Sequence, residues 1–284
     1  MQRLRQPGEI NMKRILSFGG GVDSSTLLAL YLDGISSKQI PQAIGHIDRV
    51  IFADTGAESD ATYSNVDQFK TLCTEADIPF DIVKRSGENI FEWVTRNGCL
   101  PVMPKARHVC SLKFKAEVIQ KRIKELYGDE PITYLIGIEA NEKRRAGKFT
   151  KPRADSAQYV YPLIDMNWDR SKCESYLQNC SYLTQPVVKS SCVFCPFMSH
   201  EEILEIRNDP AAWAKVKLVE SRFKQTSPLK HQAWLDAGKP LNKGGRCNKG
   251  HWKLDSWKEG ARLFIRPFKG KVLSVSEWEV LEAK

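Results

Sequence analysis

The chain has 284 residues, 42% of them hydrophobic and 27% charged, with a formal net charge of +9 at pH 7. That is enough to bury a full core, as one large α/β domain or a domain with a smaller appendage, and it excludes a disordered polymer. No apolar run approaches the roughly 20 residues of a membrane span, and the polar, basic segment Met1 to Met12 is no secretion signal, so the expectation is a cytoplasmic protein without a membrane partner. The eight cysteines then read as thiols, metal ligands or sulfur carriers rather than disulfides.

In chain order, Arg14-Ile15-Leu16 reads as a short buried strand and Thr26 to Leu32 as a helix of strong formers. Between them runs Ser17-Phe18-Gly19-Gly20-Gly21-Val22-Asp23-Ser24-Ser25. A strand that enters a helix through glycines leaves bare backbone N–H groups at the helix N-terminus, where the dipole also favours a phosphate chain. Asp23, Ser24 and Ser25 fall where N-terminal caps belong, and their oxygens can also face a phosphate or Mg2+. A plain tight turn is the alternative. There is no Gly-Lys-Ser/Thr and no G-x-G-x-x-G, so neither a Walker A loop nor a dinucleotide fingerprint is present.

Val50 to Ala53 is a second apolar strand ending in Asp54-Thr55-Gly56-Ala57-Glu58, followed by a helix over Asp60 to Ala76. Phe80 to Val83 predicts a third strand, Ile90 to Thr95 a short helix, and Gly98 to Pro104 a loop broken by two prolines. Lys113 to Tyr127 is amphipathic, with Phe114, Val118, Ile119, Ile123 and Leu126 on one side. Ile132 to Ile138 is the fourth strand. This alternation predicts an α/β fold with a doubly wound, mainly parallel sheet and ligands at the carboxyl ends of its strands. After about Tyr161 the pattern turns helical: Trp168 to Gln178, then a cysteine-bearing loop, then Glu201 to Arg207 and Pro210 to Lys224. The expected organisation is a nucleotide-binding α/β domain over residues 1–165 and a mainly helical, cysteine-bearing, basic C-terminal extension over 166–284.

The positive charge is uneven. Lys239 to Lys271 holds ten Lys and Arg against Asp255 and Glu259, and Glu139 to Arg153 holds six against Glu139 and Glu142. Such patches suit a polyanion, nucleic acid or several phosphates; a solvated basic face is the alternative. Asp54, at a strand end, can take ribose hydroxyls or an adenine amine, or can simply form the Asp-Thr-Gly turn. Arg107, Lys113, Arg144 and Arg145 are cations on segments aimed at the same rim, where guanidinium forks clamp phosphate oxygens. Cys192-Val193-Phe194-Cys195-Pro196 is a Cys-x-x-Cys, with Cys110 far upstream. Cys192, Cys195, Cys247 and His251 have the spacing of a zinc site; the Cys192–Cys195 pair also suits redox chemistry or persulfide relay, and inert core cysteines are the remaining alternative. Cys73 and Cys99 read as structural.

The glycine-rich stretch resembles the PP-loop of the ATP pyrophosphatase superfamily, Ser-Gly-Gly-x-Asp-Ser. Gly19 stands where the family often has serine, and Val22 where several branches have lysine, so another basic residue should supply that charge. Four segments together resemble the phosphoadenylyl-sulfate reductase-like branch in order and spacing. They are the loop, Asp54 to Glu58, Arg107-His108-Val109-Cys110-Ser111-Leu112-Lys113-Phe114-Lys115, and Gly137-Ile138-Glu139-Ala140-Asn141-Glu142-Lys143-Arg144-Arg145. The likeness covers roughly Lys13 to Pro196. It implies an adenine nucleotide alpha hydrolase-like fold that holds ATP and Mg2+ through Ser17, Gly19, Gly20, Gly21, Asp23, Ser24, Ser25, Asp54, Arg107, Lys113, Gly137 and Arg145. Asp23, Ser24 and Arg144 would act on the reacting phosphate.

Cys110, Cys192 and Cys195 resemble three of the four ligands of a [4Fe-4S] cluster in adenylyl-sulfate reductases. Val109 stands where those enzymes have a second adjacent cysteine, which leaves Cys247, Cys180 or an external group as the fourth ligand. The reductase tail, Glu-Cys-Gly-x-His, is absent, since no cysteine follows Cys247. The resemblance therefore implies cleavage of ATP to AMP and pyrophosphate, with sulfur replacing an adenylylated oxygen as in bacterial DNA phosphorothioation systems. A cysteine desulfurase would supply sulfur, DNA would be favoured over tRNA as acceptor, and a homodimer is an open expectation. Phosphoadenylyl-sulfate reduction, tRNA thiolation and, given Gly19 and Val22, a nucleotide-binding regulatory or scaffold subunit without catalysis are the rival functions.

Overall fold

The computed structural model describes residues 12–103, 107–146, 157–240, 263–264 and 266–281. The chain forms two compact units from interleaved segments. The first takes Met1–Ala53, Asp60–Val83 and Val118–Ser190; the second takes Asp54–Ser59, Lys84–Glu117 and Ser191–Lys284.

The first unit is a doubly wound α/β structure. Strands β1 (Lys13–Phe18), β2 (Arg49–Asp54) and β3 (Phe80–Lys84) are followed, across a two-stranded ribbon β4 (Val102–Met103) and β5 (Arg107–His108), by β6 (Ile132–Ile136) and β7 (Ala157–Val160). The sheet order is β3-β2-β1-β6-β7, with β1 parallel to both β2 and β6, and β6 parallel to β7. The order reverses between β1 and β6, which is where such sheets open a crevice at their carboxyl ends. Strand residues alternate between two cores. Leu16, Phe18, Val50, Phe52 and Leu135 pack with α1 (Val22–Ser37), α2 (Asp60–Glu75), α6 (Pro162–Asp165) and α7 (Arg170–Gln178). Ile15, Ile51, Ala53 and Tyr134 instead meet Ile119 and Ile123 of α4 (Glu117–Tyr127). Burial on both faces is why β1, β2 and β6 read as continuous apolar runs.

The expected helix over Lys113 to Tyr127 has two parts. Cys110–Ala116 is a π-helix and only the remainder is α-helical. The wider π turn re-aims the apolar face, so that Phe114 joins the second unit's core while Ile119 and Ile123 join the first's. The fifth strand, β7, has no counterpart among the expected elements; its Ala-Gln-Tyr-Val lacks a clear alternation.

The second unit is mainly helical. Its core gathers Ile90 and Val94 of α3 (Ile90–Asn97), Ile203 of α8 (His200–Arg207), Trp213, Val216 and Val219 of α9 (Pro210–Asp236), and Trp278 of α10 (Val275–Glu279). Helix α9 continues well past the expected end at Lys224 and carries Pro228 in its interior. Its buried Glu220 accepts from the backbone N–H groups of Leu263 and Val275 and pairs with Lys224 at 2.6 Å, tying the C-terminal segments to the helix. Capping boxes at Asn89/Glu92, Ser199/Glu202 and Ser274/Glu277 start three of the helices. Among the described residues, no helix is long and apolar enough to cross a membrane.

Candidate functional site

In the first unit the glycine-rich stretch is a strand–loop–helix turn at the sheet's reversal point. Gly21, not an acid or hydroxyl residue, is the N-cap of α1, and no side chain caps the helix. Asp23, Ser24 and Ser25 therefore occupy its first turn rather than the cap, because the three glycines carry the chain past the capping position. The first-turn N–H groups are left to a ligand or solvent.

Side chains staple the loop from within. Ser24 Oγ accepts from Gly19 N at 3.0 Å and donates to Gly21 O at 3.2 Å. Asn65 of α2, buried and not legible as a site residue, donates to Gly20 O at 2.8 Å and to Ser25 Oγ at 2.9 Å. Gly20 adopts φ +70°, and a Cβ there would lie 2.9 Å from Thr62 Cγ2. Gly137, just past β6, passes so near the loop that a Cβ would stand 2.6 Å from Ser24 N. Gly19 is different: a Cβ would meet nothing closer than Ser24 Oγ at 3.7 Å. A serine fits that position.

Asp23 is the electrostatic centre of the loop. It is 8% exposed, and its Oδ1 lies 3.0 Å from Arg170 Nη1 but has no aligned hydrogen bond among the described residues. Burial pushes its carboxyl up to about 6; Arg170 and Arg145 oppose the rise, Glu142 and Glu139 add to it. Glu139 is itself engaged, accepting from Asn141 N at 2.7 Å. Arg145 is paired with Glu142, and Arg144 is exposed on α5 (Lys143–Ala146). Arg170 is the residue that sequence reasoning missed. Val22 leaves the loop without a cation of its own, and nothing local says which distant residue stands beside Asp23.

The other expected site residues belong to the second unit. Asp54 Oδ1 accepts from Gly56 N at 2.7 Å, the turn geometry that was its alternative reading, while the residue also lines a cavity of about 240 Å3 with Thr55, Lys84, Arg85, Asn89 and Phe114. Lys113 lies over the Trp93 ring, its Nζ 5.5 Å from the centroid. Arg107 lies in the β4–β5 ribbon.

The cysteine region holds a polar knot. Glu58, buried, accepts from Thr55 Oγ1 at 3.0 Å and pairs with Lys115 Nζ at 3.0 Å; its Oε2 has no partner among the described residues. Thr55 Oγ1 also lies 3.5 Å from Cys192 Sγ. Burial works against the Lys115 ammonium, yet Glu58, Cys192 and Cys110 more than offset it and its pKa is raised. Burial and Glu58 hold the Cys192 thiol well above its ordinary value despite Lys115 and Thr55, so it stays protonated. Among the described residues no three His, Cys, Asp or Glu side chains are grouped to hold a metal ion. Cys110, Cys192 and Cys195 are thus not grouped as ligands in this arrangement, and the Lys115 ammonium stands near the first two. Cys247 and His251, like most of the Lys239–Lys271 stretch and residues 147–153 of the other basic stretch, lie outside the described residues. Cys173 and Cys180 are buried in the first unit's core.

The fold and loop define a doubly wound α/β protein with a glycine-rich turn and an uncapped helix N-terminus at its switch point. No protein-family model matches the chain. An uncharacterized protein of Methanocaldococcus jannaschii is 26% identical over 234 residues, 79% of this chain and 44% of that protein, so the chain spans less than half the relative's length. Among solved structures, a phosphoadenylyl-sulfate reductase from Candida auris, in a phosphate complex, matches 60% of this chain and 74% of that one at 16% identity and a TM-score of 0.36.

Proposed function

We propose that the chain binds ATP on the Gly19–Ser25 loop and cleaves it to AMP and pyrophosphate, transferring the adenylyl group to an acceptor oxygen that sulfur then replaces. One observation carries this reading: an uncapped helix N-terminus behind a glycine loop, with Gly137 crossing close to Ser24 at the sheet's reversal point. That arrangement offers backbone N–H donors and a helix dipole to a phosphate chain and leaves no room for a side chain at Gly20, Gly21 or Gly137.

Mg-ATP is the substrate. Its triphosphate would lie on the loop's N–H groups, with Ser24 and Asn65 holding the loop in shape. Arg144 and Arg145, on the segment after Gly137, would meet charge that develops as pyrophosphate leaves. The acceptor's oxygen displaces pyrophosphate from the α-phosphorus. The terminal sulfur of a donor persulfide then attacks the acceptor atom and expels AMP, which carries off that oxygen. A thiol reductant supplies the two electrons that cleave the remaining S–S bond. Net charge and the basic stretches support a nucleic-acid acceptor, and we favour a DNA phosphate oxygen over tRNA. A cysteine desulfurase is the proposed donor, and a homodimer the proposed assembly. No step is routed through a cluster, since the described cysteines are not grouped as its ligands.

The test is product analysis after anaerobic incubation with Mg-ATP, with and without DNA or tRNA. AMP plus pyrophosphate, stimulated by DNA, is the expected outcome. ADP plus phosphate would overturn the cleavage, and stimulation by tRNA alone would move the acceptor. Sulfite release from phosphoadenylyl sulfate without AMP formation from ATP would replace the reading with the reductase.

A further inference from the structure

The loop supplies backbone donors but no cation of its own, since Val22 stands between Gly21 and Asp23. Two carboxylates, Glu142 and Glu139, act on Asp23 at the loop's centre, against Arg170 and Arg145. A polyanion entering that field needs a positive group that can be released to it. Arg145 is already paired with Glu142, its neighbour one turn back. Arg170 is the remaining cation of the set.

We infer that Arg170 is the phosphate-binding cation of this loop, held on Asp23 while the site is free and turned to the phosphate chain of a nucleoside triphosphate when it binds. Its backbone is fixed. Asp169 caps α7, accepting from Lys172 N at 2.9 Å, and α7 packs along α1 through Cys173 and Leu177. Its head is not fixed: the side chain is 39% exposed, 3.0 Å from Asp23 Oδ1 and 4.0 Å from Glu174 Oε1. A pair this exposed makes a poor brace, and the missing aligned hydrogen bond on Asp23 Oδ1 points the same way. The planar fork can instead exchange one carboxylate oxygen for two phosphate oxygens. Because Arg170 begins its helix, it can turn toward the loop without disturbing the packing behind it.

This inference rests on the loop being a nucleotide site, and the experiment separates the two. Titration calorimetry with Mg2+ and α,β-methylene-ATP, which cannot be cleaved between those phosphates, gives the affinity of wild type, Arg170→Ala, Arg170→Lys and, as a same-helix control, Lys172→Ala. AMP titrated in parallel reports binding without the terminal phosphates. The expected result is a loss of about 10-fold or more for the triphosphate in Arg170→Ala, a much smaller loss for AMP, partial recovery in Arg170→Lys and none of this in Lys172→Ala. Equal losses for triphosphate and AMP would make Arg170 a structural residue and overturn the inference, as would an Arg170→Ala affinity equal to wild type. If wild type binds neither nucleotide, the loop reading falls and the inference with it. Should Arg170→Ala not fold, Arg170→Gln keeps the length of the chain and carries the same expectations.

Discussion

Each unit buries a carboxylate beside a cation, and the two pairs are built differently. Glu58 is enclosed, with its side chain 1% exposed, and Thr55 and Lys115 both bind the same oxygen at 3.0 Å. Asp23 is buried too, but its cation is reached through one unaligned contact and two further carboxylates raise its pKa. The first arrangement resists change; the second has a partner to release. A buried charge pair is thus a brace or a binding device according to how many bonds hold each member, a distinction that distance alone does not make.

The comparison can be broken most sharply at Gly137. Gly137→Ala puts a Cβ against Ser24 backbone, which cannot yield as a side chain would, so pyrophosphate release should fall by about 100-fold or more, as steric displacement of a binding loop allows. The fold should survive at a cost of about 1–3 kcal/mol, visible in urea unfolding. Unchanged turnover would show that the β6 exit does not shape the loop.

Glu58→Ala tests the brace. It strands the Lys115 ammonium, and because that side chain is about a third exposed the cost should be about 2 kcal/mol rather than that of a fully buried pair. Equilibrium unfolding measures it, and a neutral result would remove the contrast between the two units.

Asp23→Asn should have the opposite sign. A carboxyl raised from 3.8 to about 6 holds its proton more tightly folded than unfolded, so its contribution is complete below the unfolded value and is lost as pH rises through about 6. The variant should match wild type near pH 4 and exceed its stability by about 2–3 kcal/mol above pH 7, the size of a two-unit shift. It should also lose nucleotide turnover. Thermal unfolding at both pH values checks the first expectation, and a constant difference between them would contradict it. The smallest effect belongs to Gly19→Ser: the position has room, so stability should change by about 0.5 kcal/mol or less.

Much of the first unit was legible because its strands are buried on both faces. Val50 to Ala53 reads as a strand without any knowledge of its neighbours, and the glycines after Phe18 announce a tight strand-to-helix turn through backbone chemistry alone. What stayed hidden depends on contacts between distant segments. Arg170 gains meaning only where α7 meets α1, and Asn65 only where α2 passes under the loop. The edge strand β7 is short and mixed in polarity, and the π-helical start of the Lys113 region keeps a helical sequence pattern while changing its face. The cysteine spacing gives no sign of Lys115, whose ammonium stands on Glu58 and near Cys192 and Cys110.

The first unit's three cysteines, Cys73, Cys173 and Cys180, are all buried, and burial pushes the thiols of Cys73 and Cys173 up to about 12 and about 11. Cys110 and Cys195 of the second unit are partly exposed. A brief pulse of alkylating reagent in native buffer will therefore mark the second unit and spare the first. Applied at intervals during denaturation, the same pulse becomes a clock: the moment Cys73 and Cys173 begin to react dates the opening of the sheet, and mass spectrometry of each peptide tells whether the two units come apart together or in turn.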